Sequence, residues 1–345
     1  MPSNPIKVLL VDDSVFFREM LKRGLSGYPD IQIGDSVGDV VAARDSILSN
    51  KPDAIVLDME MPIMRGADFL KQFHPRYPEI PVVVISSQPA NVFEALSAGA
   101  VDFVSKPASA RDGSGEFVNE LVGKIRIARS MNKKVTSPAV SSLFSKMNAP
   151  RVFKNPKAVI AIGASTGGTE AILAVLKDLP ANTPGIVIVQ HMPPVFTKMY
   201  AERLDKQCAM QVKEAVNGDR VKPGVALIAP GGEQHMRLMA DSSGYFVRLS
   251  EGEKYSGHRP SVDVLFESTA KAAGPNAIGV ILTGMGADGA RHLLTMRSAG
   301  AHTIGQDQAS CIVYGMPMAA YNLGGVKEQL PLGGIAPAIL RQLTK

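Results

Sequence analysis

The sequence has no tryptophan, only two cysteines and no long hydrophobic run. Its apolar stretches, such as residues 82–85 and 277–282, are far shorter than the roughly 18 residues that cross a bilayer. The segment before the first predicted strand has no apolar signal region, which argues against export. Cys208 and Cys311 lie far apart without metal-ligand spacing, so we expect free thiols. These absences predict a cytoplasmic protein without membrane insertion.

The length and composition are typical of a soluble α/β protein. A chain of 345 residues with 45% hydrophobic and 20% charged residues excludes a mainly disordered protein, and its length fits two domains or one large barrel. The net charge of +5 is local, because nine cationic and no acidic residues lie between 124 and 157, which leaves −4 for the rest. We interpret this stretch as a solvated connector, with a docking strip for an acidic partner as the alternative.

Short β-branched runs alternate with helical patterns in two stretches of the chain. This rhythm predicts two α/β domains, each with a doubly wound parallel sheet. A Ser-, Lys- and Pro-rich segment interrupts it and predicts a flexible linker. We therefore divide the chain into residues 1–128, a basic linker at 129–155 and residues 156–345. The predicted strands begin at Val8, Gln32, Ala54, Val82 and Asp102 in the first domain, and at Val159, Ile186, Val225, Phe246, Ile278 and Ala301 in the second.

Polar residues follow the predicted strands of the first domain at one edge of its sheet. Asp12, Asp13, Asp58, Ser86 and Lys106 all stand at or just after strand ends. Three adjacent carboxylates repel one another unless a hard cation such as Mg²⁺ neutralises them. Such a site allows Asp58 to attack a phosphoryl donor, with Lys106 balancing charge and Ser86 contacting the product. Singly, each residue could instead be a helix cap or a turn residue.

Three segments of the first domain resemble the receiver domain of two-component response regulators. They are VDDS at 11–14, LDMEMP at 57–62 and FVSKP at 103–107. The resemblance implies a flavodoxin-like fold with Asp58 as the phosphoacceptor. It also implies Mg²⁺ binding by Asp13, Asp58 and the Glu60 carbonyl, with Asp12 acting through water, and it assigns switch roles to Ser86, Phe103 and Lys106.

A glycine-rich segment of the second domain, Gly163–Gly168, joins a predicted strand to a helix. Small neighbours permit a sharp turn that presents Ser165 at a helix N-terminus. A phosphate cradle is the alternative for such a loop. Among the six histidines, His191 is the best-placed base because it follows the next strand, although a structural imidazole is the alternative. The orienting carboxylate is Asp288 or its competitor Asp263, and we favour Asp288 because glycines flank it.

Four separated motifs closely resemble the methylesterase domain of the CheB family. They are GASTGG at 163–168, QHMPP at 190–194, HRPSVDVLF at 258–266 and LTGMGADG at 282–289. The resemblance implies a triad of Ser165, His191 and Asp288 on a Rossmann-like sheet, with the Met285 amide as an oxyanion donor. The segment 231–236 departs from the family's shorter form, so roles for residues 232–235 stay open.

The resemblance implies a phosphorylation-activated hydrolase in chemotaxis adaptation. Its substrates are glutamate γ-methyl esters of methyl-accepting chemotaxis receptors, its second activity is glutamine deamidation, and its phosphodonor is a chemotaxis-type histidine kinase. It implies no cofactor for the esterase reaction. A DNA-binding second domain is the main rival, but that domain has no compact helix-turn-helix pattern and no basic surplus. A nucleotide-binding enzyme is the other, but the glycine loop lacks P-loop and dinucleotide spacing.

Overall fold

The structure, a computed structural model, describes residues 5–62, 64–107, 114–130 and 152–345. The chain divides into two compact units between residues 133 and 134. Most of the predicted linker, 129–155, lies outside the described residues. At its end, the Lys154 amide donates to the Leu343 carbonyl at 3.3 Å, which joins this part to the C-terminal unit. Within the described ranges, no helix is both long and apolar enough to span a bilayer, and both cysteines are free.

The N-terminal unit is a five-stranded parallel sheet with the strand order 2-1-3-4-5. Every residue of the third and fourth strands is buried, as expected for central strands covered by helices on both faces. The chain reverses direction across the sheet between the first and third strands, which is where such folds place their sites. The elements are β1 (Ile6–Val11), α1 (Val15–Leu25), β2 (Ile31–Val37), α2 (Val40–Asn50), β3 (Ala54–Asp58), α3 (Gly66–Phe73), β4 (Val82–Ser86), α4 (Pro89–Ser97), β5 (Asp102–Ser105) and α5 (Ser114–Ser130).

The C-terminal unit contains a seven-stranded parallel sheet and a separate three-stranded antiparallel sheet. Its elements are β6 (Val159–Ala164), α6 (Gly168–Lys177), β7 (Ile186–Gln190), α7 (Phe196–Asp205), β8 (Gln211–Glu214), β9 (Arg220–Val221), β10 (Val225–Ile228), β11 (Gln234–Asp241), β12 (Gly244–Glu251), α8 (Val262–Ala273), β13 (Ala277–Ile281), α9 (Ala290–Ser298), β14 (His302–Gln306), α10 (Met316–Asn322), β15 (Glu328–Leu330) and α11 (Leu332–Leu343).

Strand β6 is flanked by β7 on one side and by β13 on the other, within the order 15-14-13-6-7-10-8. The loops that follow these three strands therefore meet at one edge of the sheet, at its reversal of strand order. The buried core of the unit contains apolar residues from β6, β7 and α8, with Phe266 fully enclosed. This arrangement brings the predicted nucleophile, base and carboxylate loops to the same edge.

The predicted pair of α/β units with parallel sheets is confirmed, with one correction. The run Phe246–Leu249, which we predict as part of the parallel sheet, lies in β12 and pairs antiparallel with β11. The central parallel strands are buried throughout, whereas β11 and β12 mix buried and exposed residues. The four-residue run is too short for its sequence pattern to separate the two sheets.

Candidate active site

The three predicted carboxylates of the N-terminal unit lie together at the end of β1 and β3. One oxygen from each of Asp12, Asp13 and Asp58 lies within 4.8 Å of the other two. Asp12 and Asp58 are buried, and Asp13 is exposed. The Lys106 Nζ atom lies 2.8 Å from Asp58 Oδ2 and 3.1 Å from Asp12 Oδ2. Three close oxygen ligands with one opening to solvent fit a hydrated Mg²⁺ ion.

The charge balance of this cluster also favours a cation. Burial, and then the Asp58 charge, raise the pKa of Asp12 to about 6, although the Lys106 ammonium group opposes this shift. One lysine therefore does not offset the repulsion between the two buried carboxylates. A divalent cation would stabilise both in their ionised forms.

The predicted switch residue Ser86 contacts a glutamate instead of the carboxylate cluster. Its Oγ atom lies 3.1 Å from Glu60 Oε1, and Glu60 also accepts hydrogen bonds from the Ser87 amide at 3.2 Å and hydroxyl at 2.8 Å. Phe103 is buried in β5, where it pairs with Val84. The roles of Ser86, Phe103 and the Glu60 carbonyl stay predictions.

Ser165 lies in the turn between β6 and α6, close to the loop after β13. Its amide donates to the Thr283 carbonyl at 3.0 Å, and its carbonyl accepts from the Gly168 amide at 2.7 Å. Gly167 adopts a φ of +76°, which glycine tolerates without strain. A Cβ atom on Gly284 would lie 2.7 Å from Ser165 Cβ. The loop after β13 can approach the Ser165 turn this closely because position 284 is glycine.

His191 follows β7, the neighbour of β6, and its amide donates to the Ala164 carbonyl at 3.2 Å. Its Nε2 atom lies 2.7 Å from Asp288 Oδ2. Its Nδ1 atom is buried and has no hydrogen-bond partner among the described residues. With the Nε2 proton directed at Asp288, the Nδ1 lone pair is available to accept a proton. The His258 ring stacks on the His191 ring with centroids 3.7 Å apart.

Asp288 is buried at the N-terminus of α8 and is held by several donors. It accepts hydrogen bonds from Ser261 Oγ at 2.7 Å and from the amides of Val262 and Asp263 at 2.8 and 3.0 Å. Burial would raise the pKa of Asp288, but hydrogen bonds and the His191 charge outweigh burial and lower it. The helix N-terminus also favours the anion. Asp288 is therefore an ionised, fixed partner for the imidazole.

The competing carboxylate, Asp263, faces a different histidine. Its Oδ1 atom lies 2.9 Å from His292 Nδ1, and its Oδ2 atom accepts from Ser256 Oγ at 3.3 Å. The structure thus joins His191 to Asp288 and not to Asp263. Asp263 neither caps its helix through its side chain nor pairs with Arg259, whose Nε donates to the Gly232 carbonyl at 2.9 Å.

The predicted oxyanion donor follows Gly284 directly. Within the described part of the chain, the Met285 amide donates no hydrogen bond, and its side chain is 48% exposed. The amide is consequently available to an oxyanion formed next to Ser165. Its role as an oxyanion donor stays a prediction.

Two residues support the site without having been selected from the sequence. Ser261 belongs to the HRPSVDVLF motif, but nothing in the sequence separates its contact with Asp288 from ordinary helix capping. His235 lies in the segment whose role was left open. Its Nδ1 atom accepts from the Ser261 amide at 3.2 Å, and Nε2 lies 2.9 Å from the Glu253 carbonyl. A buried His235 therefore holds Ser261 next to Asp288.

Comparisons with known proteins identify the family of both units. The CheB methylesterase family profile matches residues 160–339, and the response regulator receiver domain profile matches residues 8–114. The chain is 52% identical to protein-glutamate methylesterase/protein-glutamine glutaminase 2 of Syntrophomonas wolfei, over 99% of this chain and 98% of that protein. It is 46% identical to the protein of the same activity from Syntrophotalea carbinolica, over 99% and 98% of the two chains.

A solved structure resembles the C-terminal unit. The Thermotoga maritima CheB methylesterase catalytic domain superposes with a TM-score of 0.52 and 38% identity, covering 54% of this chain and 98% of that one. The match is consistent with the parallel sheet and with the loops that carry Ser165, His191 and Asp288. Together with the relatives that align along the whole chain, it shows that this protein belongs to the CheB family of receiver-linked protein-glutamate methylesterases.

Proposed function

We propose that this protein hydrolyses glutamate γ-methyl esters on chemotaxis receptors through Ser165, His191 and Asp288, under control of phosphorylation at Asp58. The observation that carries the esterase proposal is the His191 ring, which pairs with Asp288 through Nε2 at 2.7 Å and has a buried Nδ1 without a hydrogen-bond partner in the part of the chain that the structure describes. This arrangement directs one ring nitrogen to the carboxylate and leaves the other as a base beside the serine turn.

In the first half of the reaction, Ser165 Oγ forms a bond to the ester carbonyl carbon while His191 Nδ1 takes the hydroxyl proton. Electrons of the carbonyl move to its oxygen, next to the Met285 amide. The tetrahedral intermediate then collapses, the bond to the methoxy oxygen breaks, and His191 returns its proton to release methanol. Ser165 is left as an acyl ester of the receptor glutamate.

In the second half, His191 takes a proton from water, and the hydroxide attacks the same carbonyl carbon. The bond to Ser165 Oγ breaks, the imidazole returns the proton to that oxygen, and the receptor keeps a glutamate carboxylate. A glutamine side chain enters the same sequence with ammonia as the leaving group. Asp288 stays ionised throughout and stabilises the transient imidazolium.

In the receiver unit, we propose that Asp13, Asp58 and the Glu60 carbonyl would hold Mg²⁺ directly, with Asp12 acting through water. The ion, when bound, neutralises charge on the oxygens of a transferring phosphoryl group. Asp58 accepts that group, Lys106 pairs with its oxygens, and Ser86 leaves Glu60 to hydrogen-bond to it. We place the enzyme in the cytoplasm, with a histidine kinase as phosphodonor and receptors as substrates. Activation then follows from a switch at Ser86 and Phe103 that relieves inhibition by the tethered receiver.

The proposed control predicts that a small-molecule phosphodonor raises methanol release in the wild type but not in Asp58→Asn. The change removes the nucleophilic carboxylate oxygen and keeps the side-chain shape, so the basal rate should stay within about threefold of the wild type. We expect a stimulation of roughly tenfold or more, within the range that a conformational equilibrium of a few kcal/mol allows. The measurement is methanol released from methylated receptor membranes, with and without the donor.

Chelation of Mg²⁺ supplies a second arm of the same experiment. It should abolish the stimulation and leave the basal rate intact, because the esterase site uses no metal in this account. Equal stimulation of the wild type and Asp58→Asn would contradict control through this carboxylate. A basal rate that fell on chelation would contradict a metal-independent esterase.

A further inference from the structure

A buried glutamine connects the main chains of the proposed nucleophile and base. Gln190 is the last residue of β7, and its backbone pairs with Ala164 of β6. Its Nε2 atom donates to the Ser165 carbonyl at 2.9 Å and to the His191 carbonyl at 3.2 Å. Both protons of one side-chain amide thus have acceptors on residues of the proposed triad. The side chain is only 3% exposed, so water does not compete for these contacts.

The orientation of this amide follows from its surroundings. A reversed amide would place Oε1 against two carbonyl oxygens, so only the observed orientation satisfies the acceptors. In that orientation Oε1 is buried without a hydrogen-bond partner among the described residues. It lies over Gly168, where a Cβ atom would come within 2.1 Å of it. A buried polar atom without a partner is rare in folded proteins and is commonly retained for a specific reason.

We propose that Gln190 is a positioning residue for the esterase reaction, because it fixes the distance between the Ser165 turn and the His191 loop. The Ser165 carbonyl has two donors, Gly168 N at 2.7 Å and Gln190 Nε2 at 2.9 Å, which together set the direction of the turn. The His191 carbonyl shares the same donor group. Small displacements between a nucleophile and its base cost large factors in rate, about 100-fold for 1 Å. This inference rests on the proposed esterase function.

Two substitutions distinguish a positioning role from simple space filling. Gln190→Met keeps the length of the side chain and removes both donors. Gln190→Glu keeps the shape and can donate only when its carboxyl group is protonated, a form that burial favours. The titratable groups of the surrounding machinery are Asp288, His191 and His258, and they are present in every variant. A pH effect specific to Gln190→Glu therefore reports the carboxyl group at position 190, and the loss in Gln190→Met, which adds no charge, reports the missing donors.

The experiment measures methanol release from methylated receptor membranes by the full-length wild type and variants across a pH series. For Gln190→Met we expect kcat to fall about 10- to 100-fold at every pH, with KM within about twofold of the wild type. For Gln190→Glu we expect kcat to be closest to the wild type at low pH and to decline further than the wild type as pH rises. Gln207→Met is the matched control, because Gln207 is exposed and, among described residues, its side-chain amide donates only to the Arg203 carbonyl, at 3.5 Å.

The outcomes separate this inference from the proposed function. Thermal unfolding monitored by circular dichroism checks that the variants fold. If Gln190→Met does not fold, the pH series of Gln190→Glu tests the positioning role alone. If folded Gln190 variants have kcat values within twofold of the wild type, the positioning role is overturned. Methanol release by the wild type would still support the proposed esterase function. A kcat loss of equal size in Gln190→Glu and Gln190→Met at all pH values would overturn the donor mechanism. No methanol release by the wild type would instead refute the proposed function itself.

Discussion

Replacing Ser165 with alanine is expected to abolish methanol release from methylated receptors. Loss of a nucleophilic serine in a triad lowers kcat by about 10⁴- to 10⁶-fold, because the remaining groups support only slow attack by water. The substitution removes one hydroxyl group, and the three hydrogen bonds of the Ser165 main chain persist. Receptor binding and the fold should therefore be retained. Gas chromatography of released methanol measures the effect.

The matched control for this change is Thr169→Ser, a conservative hydroxyl residue in α6, a few residues beyond the nucleophile turn. It should keep activity within about twofold, since Thr169 has no part in the mechanism and the change removes only one methyl group. Methanol release by Ser165→Ala at a tenth of the wild-type rate or more would show that another nucleophile performs the reaction. That result would favour the alternative interpretation of the Gly163–Gly168 loop as a phosphate-binding site.

Asp288→Asn is the second large effect, with an expected fall in kcat of about 10⁴-fold. If the asparagine NH₂ group faces His191, Nε2 must accept, and the ring proton moves to Nδ1, where it blocks proton abstraction. If the asparagine oxygen faces His191 instead, its NH₂ group takes the place of Oδ1 and meets Ser261 Oγ and the Asp263 amide, which donate to that oxygen in the wild type. Either orientation removes the base or breaks hydrogen bonds that hold the loop.

Both orientations predict a loss of stability in addition to the loss of activity, because the NH₂ group replaces the acceptor of the Val262 amide in the first and of the Asp263 amide in the second. A buried donor left without an acceptor costs about 1–3 kcal/mol, so the urea midpoint of the C-terminal unit should fall. Asp263→Asn is the control. Its side chain faces His292, so its kcat should stay within about threefold of the wild type. Equal losses for the two variants would assign the effect to the α8 N-terminus rather than to the orientation of His191.

The sequence pattern could predict at which edge of each sheet the site residues lie, but it could not predict which side chains they contact. Polar residues after apolar runs must meet at the carboxyl edge of a parallel sheet, so Asp12, Asp58 and Lys106 could be grouped without coordinates. The same argument grouped Ser165, His191 and Asp288, which follow three adjacent strands. Strand order is what brings them together, and the sequence pattern does not show it; the resemblance to a known family implied the triad without it.

The hydrophobic pattern of the sequence does not indicate the hydrogen bonds around the site. Gln190 ends an apolar strand, and a polar residue there usually faces solvent, whereas its side chain turns inward to two carbonyl groups. His235 and Ser261 come from an antiparallel strand and a helix start that no periodicity connects to Asp288. Residues that act through a neighbour need the packing of the folded chain to identify them.

The central claim is that Ser165 is an activated nucleophile, and covalent labelling tests it most directly. The full-length enzyme is treated with a fluorophosphonate, which reacts with activated serine hydroxyl groups, and the tryptic peptides are analysed by mass spectrometry while methanol release is followed. We expect one adduct, on Ser165, that forms in proportion to the loss of activity, and no labelling of the His191→Ala variant. Full activity in enzyme modified at Ser165, or inactivation with the adduct on another serine, would contradict it.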